Sequence, residues 1–81
     1  MNIRIENLPP GVTVEEVREF LGASDDIEDI LLSDAGNSDD VIAMVKVKVS
    51  RAGATGMAEF IDGRFFNERR LSATVLALLN E

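Results

Sequence analysis

At 81 residues the chain has room for one small domain, and an apolar content of 46% suits a folded globule rather than a disordered segment. Fifteen acidic residues against eight basic ones give a formal net charge of −7, so the overall field repels phosphate polymers and only a locally basic face could meet nucleic acid. Cysteine, histidine, tryptophan and tyrosine are all absent, which excludes disulfides and thiolate metal sites and removes the commonest acid–base group and the best stacking rings.

Ile3 and Ile5 alternate with Arg4 and Glu6, a period of two that predicts a first strand. Pro9-Pro10-Gly11 ends it, because proline has no amide to give the ladder. Thr13 followed by Glu16 is a capping-box pattern, and Val14, Val17, Phe20 and Leu21 then form an apolar stripe at helical spacing that Gly22 is placed to stop. Ile27 to Leu32 predicts a second strand whose inner face is ambiguous, since Ile30-Leu31-Leu32 is continuous. A polar loop runs from Asp34 to Asp40. Val41 to Val49 is the strongest predicted strand, with Val41, Ala43, Val45, Val47 and Val49 on the core face and Ile42, Met44, Lys46 and Lys48 on the other.

Ser50 is placed to cap a second helix over about residues 51–61, with Ala54, Met57, Ala58 and Ile61 toward the sheet. Gly53 and Gly56 each weaken that helix by about 1 kcal/mol relative to alanine, which reads as close packing of a small-residue face. Asp62-Gly63 ends the helix, Phe65 or Phe66 plugs the core edge, and Asn67-Glu68 makes a turn. Leu71, Ala73 and Val75 alternate with Ser72 and Thr74 in a last strand, and Leu76 to Leu79 is an apolar tail.

The order strand, helix, strand, strand, helix, strand predicts an α+β, ferredoxin-like βαββαβ sandwich: a four-stranded antiparallel sheet, two helices on one face, the other face open. Residues 1–81 read as a single domain without repeat, linker or low-complexity segment. The run Ile3-Arg4-Ile5-Glu6-Asn7-Leu8, followed by Pro9-Pro10-Gly11, resembles the first-strand motif of RNA recognition motif (RRM) domains. Asp62-Gly63-Arg64-Phe65-Phe66-Asn67-Glu68-Arg69-Arg70-Leu71 resembles that family's stretch between second helix and last strand. The resemblance covers nearly the whole chain and implies the same fold, with single-stranded RNA on the open sheet as the usual function. The chain departs from the pattern where bases normally stack. Arg4 stands at the ring position of the first strand. On the third strand, either register of the motif puts Ile42 and Met44, or Met44 and Lys46, at the ring positions. Each missing ring forfeits about 1–3 kcal/mol per base.

Charge is the available substitute. Arg4, Lys46 and Lys48 are expected on the open face with Ser72 and Thr74, and Met44 offers an apolar platform. That pattern predicts weak, salt-sensitive RNA binding, set against the plainer reading that lysines keep an exposed sheet soluble. A second function stays open: Ile42, Met44, Leu76 and Leu78 could form an apolar patch for a protein partner or a homodimer, unless the tail folds over it. Asp25-Asp26, Glu28-Asp29 and Asp39-Asp40 lack the spacing of a calcium loop, so no metal or cofactor is expected. Gly53-Ala54-Thr55-Gly56 lacks the lysine of a phosphate loop, and no nucleophile has a base beside it, so no enzyme activity is expected. No apolar run is long enough to span a membrane, and the strand-like Met1-Asn2-Ile3 leaves no room for a signal peptide. With cysteine absent as well, a cytoplasmic location is expected.

Overall fold

The computed structural model describes residues 1–22, 25–34 and 39–76. The elements are β1 (Asn2–Leu8), α1 (Val14–Phe20), β2 (Ile27–Ser33), β3 (Val41–Val47), α2 (Arg51–Ile61), β4 (Phe65–Phe66), β5 (Arg69–Arg70) and β6 (Ser72–Leu76). The main sheet has the order β2-β3-β1-β6 with every neighbour antiparallel, and β4 and β5 form a separate hairpin. The expected ferredoxin-like βαββαβ sandwich is therefore what the chain forms.

Local chemistry sets the helices. The Thr13 hydroxyl accepts from the Glu16 amide at 3.1 Å, and the Glu16 carboxylate accepts from the Thr13 amide at 2.9 Å. Two orphan amides of α1 are thereby satisfied. Gly22, at φ +86°, follows the last turn in the left-handed region. Ser50 caps α2 by accepting from the Gly53 amide at 3.3 Å. Val14, expected in the apolar stripe of α1, is instead exposed, and Val17 alone of that helix is fully buried. Seven residues make under two turns, so a single position can face straight into the core.

The core lies between the helices and one sheet face. Ile3, Ile5, Val41, Ala43, Val45 and Val47 fill it from the central strands, and Ala54, Ala58 and Ile61 close it from α2. No polar side chain is buried among the described residues. The third strand is shorter than expected: it stops at Val47, and the Lys48 amide donates to the Asp26 carbonyl at 2.7 Å. Val49, half-buried, packs on the core from outside the strand.

Two bulges settle which residues turn inward. In β1, Ile5 pairs Ala43 but Leu8 pairs Val41, so Glu6 and Asn7 together oppose Ile42. Leu8 is thereby returned to the core beside Ile3 and Ile5. In β2, Ile27 pairs Val47 but Asp29 pairs Lys46, leaving Glu28 as the extra residue. Ile27 and Ile30 then both point inward, with Leu32 half-buried behind them, and Leu31 is turned out with 65% of its surface exposed. That resolves the ambiguity of the Ile30-Leu31-Leu32 run.

The small-residue argument for α2 holds at Ala54 and Ala58, which are buried, and at Gly53, and fails at Gly56. A Cβ at Gly53 would meet the Val49 Cβ at 3.1 Å, whereas at Gly56 it would meet nothing within 4 Å. Asn67 and Glu68, both at positive φ, form the tight turn between β4 and β5. Of the two candidate plugs, Phe66 packs on the core and Phe65 is exposed. Leu76 belongs to β6, and the rest of the apolar tail, including Leu78, lies outside the described residues. No described helix is long and apolar enough to cross a membrane.

Candidate functional site

Strand register arranges the open face in rows. The central row runs Leu31, Met44, Arg4, Thr74 across all four strands. A second row runs Asp29, Lys46, Asn2, Leu76. A third holds Ser33 beside Ile42, and Ser72 beside Glu6, with the β1 bulge between the pairs. Five of the six sequence-predicted site residues, Arg4, Met44, Lys46, Ser72 and Thr74, thus share this face. Lys48 does not join the rows: it is exposed beyond the end of β3.

The cations on the face are not bare. Arg4 Nε lies 3.0 Å from Glu6 Oε2, two residues along the same strand. Its N–H is not directed at that oxygen and makes no hydrogen bond, so the contact is electrostatic. Lys46 Nζ lies 3.7 Å from Glu28 Oε1 on the neighbouring strand. Both pairs are solvent-accessible, and exposed ion pairs are worth roughly 0–1 kcal/mol. An incoming phosphate can therefore displace these carboxylates at modest cost, but it meets a face whose charge is already near balance.

Two hollows lie on this side. One, of about 360 Å³, is lined by Met1, Asn2, Asp29, Leu31, Met44 and Lys46, and its wall is largely apolar. The other, of about 370 Å³, is lined by Glu6, Asn7, Asp34, Asp40, Ile42, Arg70 and Ser72. None of the four phenylalanines lies in a row of the open face: Phe20 is on α1, Phe60 on α2, and Phe65 and Phe66 on β4. No cluster of three carboxylates with metal-ligand geometry occurs among the described residues.

A clamp shapes the second hollow. Asn7 sits at φ +75° in the bulge, and its Nδ2 donates to the Arg70 carbonyl at 2.9 Å. Arg69 Nη1 pairs with Asp40 Oδ1 at 2.9 Å and donates to Asn7 Oδ1 and the Leu8 carbonyl, each at 3.4 Å. Arg69 thus ties the end of β1 to the residue that precedes β3. Sequence reasoning missed Leu31, Asn2 and this clamp. An asparagine at the end of a strand, where left-handed backbone suits it, was the available signal.

No family model matches the chain, and no curated protein matches it. Solved structures do. The Pes4 RRM3 structure superposes with a TM-score of 0.80 at 24% identity, covering 99% of this chain and 95% of that one. The Mip6 RRM3 domain gives 0.77 at 19% identity over 90% and 88%. The Rna15 RRM with bound RNA (GU) gives 0.75 at 10% identity over 95% and 83%. These likenesses establish the fold of RRM domains.

Proposed function

We propose that the domain binds single-stranded RNA through the open sheet, weakly and with marked salt sensitivity. The observation that carries this reading is the adjacency of Arg4 and Met44 in the central row, with Lys46 in the next. In it, the Arg4 guanidinium lies against a base or bridges phosphate, Met44 supplies an apolar platform, and Lys46 holds the backbone. Thr74 and Ser72 offer hydroxyls at the β6 edge, and Lys48 contributes long-range attraction from beyond the strand. The RRM of Rna15 carries bound RNA, which supports the reading by likeness of fold. The absence of rings from the face and the carboxylates beside both cations are why the affinity is placed low.

Lys46→Glu tests this directly. Lys46 is exposed, so the fold should persist, and RNA affinity should drop several-fold in a titration at low salt. Unchanged affinity would sink the proposal. A second reading, a protein-binding or self-associating sheet, is favoured by one observation: Leu31 stands exposed beside Met44 over a largely apolar hollow. Sedimentation of Leu31→Lys against wild type separates it, because only self-association through this patch makes the two differ.

A further inference from the structure

The two outer strands of the sheet, β2 and β6, direct some of their amides away from it. The Val47 amide donates to the Met1 carbonyl at 2.9 Å, so Val45 and Val47 face β1 along β3, while Met44 and Lys46 face β2. Carried through the register, that alternation points Ile30 outward from β2, and Ala73 and Val75 outward from β6. Outward amides are where another chain adds a strand. Here a carboxylate already takes one on each edge. Asp29 Oδ1 accepts from the Ile30 amide at 2.9 Å, and Asp62 Oδ1 accepts from the Ala73 amide at 3.0 Å.

The two edges differ in what else protects them. β2 carries Glu28 and Asp29 within the strand, and the bulge between Ile27 and Asp29 interrupts its ladder. β6 has neither device. It follows β1 in unbroken register, and from Leu71 to Asn80 the sequence holds no charge and no proline. An uncharged strand of that kind at a sheet edge is prone to pair with copies of itself. The charge that guards β6 comes instead from another element. α2 packs beside β6, and Asp62, its C-cap, reaches the Ala73 amide from the end of the helix.

We propose that the outer edge of β6 is a pairing site for a second copy of this chain, held shut by the Asp62 carboxylate. The carboxylate occupies the Ala73 amide, which an added strand needs, and sets a negative charge where that strand would lie. With Asp62 removed, two copies join β6 to β6 antiparallel about a twofold axis. The Ala73 carbonyl and both backbone groups of Val75 then find partners, and the two sheets become continuous. The closure acts whatever the open face binds.

The full chain carrying Leu31→Lys, which removes the apolar patch of the sheet face from any association, is compared with the same chain carrying Asp62→Ala as well. Leu31 and Asp62 are both exposed, and the Asp62 amide keeps its bond to the Ala58 carbonyl in either variant, so the fold should persist. Sedimentation velocity over a wide range of concentration should find the parent monomeric throughout. Asp62→Ala should move toward a dimer as concentration rises, and hydrogen exchange at Ala73 and Val75 should slow as it does. In dilute Asp62→Ala the Ala73 amide should exchange several-fold faster than in the wild-type chain, because its acceptor is gone. An Asp62→Ala variant that stays monomeric, or that associates without protecting Ala73 and Val75, would overturn the proposal. So would a parent that already pairs through those two residues. A wild-type Ala73 amide that exchanges as fast as in an open peptide would overturn it too, and that measurement decides even if Asp62→Ala does not fold.

Discussion

Asn7 gives the sharpest test of how local backbone builds the face. It holds φ +75° in the β1 bulge, and its side chain donates to the Arg70 carbonyl at 2.9 Å. Replacing it with alanine removes that hydrogen bond, worth about 1 kcal/mol net. It also forces a Cβ without compensating polar contacts into the left-handed region, at roughly 1–2 kcal/mol. Asn7→Ala should therefore lose about 2–3 kcal/mol. Asn7→Gly loses the same hydrogen bond but accepts the backbone, and its looser unfolded chain costs about 0.4–1 kcal/mol. Glycine should thus be the more stable of the two variants by about 0.5–1 kcal/mol, even though alanine is the better residue in an ordinary strand. Thermal unfolding can resolve this, because 1 kcal/mol moves the midpoint by about 4–8 °C for a domain of this size. An alanine variant as stable as the glycine variant would refute the account of the bulge.

Three further outcomes follow from the same geometry. Gly56→Ala should stabilise the fold by about 0.5–1 kcal/mol, since the new Cβ meets nothing, while Gly53→Ala should gain less or nothing against Val49 at 3.1 Å; denaturant midpoints of the two variants decide. Thr13→Ala should cost about 1 kcal/mol in urea unfolding by opening the capping box. If Arg4 and Lys46 make the two phosphate contacts, the logarithm of RNA affinity should fall against the logarithm of salt with a slope of about −1.4, and a slope near zero would remove charge from the explanation.

The strand order and the core valines were legible because alternation along residues 41–47 is strict and the turns are chemically marked. The faces of β1 and β2 beyond their bulges were not. A bulge adds one residue and shifts every later side chain to the other face, and period-two reading carries no sign of it. Leu31 was hidden for that reason. Lys48 was over-read for a related one: alternation continues in the sequence past Val47, but the ladder ends there as the Lys48 amide turns to Asp26. The ion pair of Lys46 had no signature either, since Glu28 reaches Lys46 only across the sheet. Phe20, Phe60 and Phe66 meet around Arg64 although α1 lies some forty residues before the others in the sequence, a proximity that no local pattern signals.

The central claim is that the open sheet is a weak electrostatic surface for single-stranded RNA. It is met most directly by titrating isotope-labelled chain with a short degenerate single-stranded RNA pool and following backbone amides at low and high salt. The account predicts shifts at Arg4, Met44, Lys46 and Thr74 that shrink as salt rises. Unmoved sheet amides at low salt, or shifts confined to the helices, would contradict it.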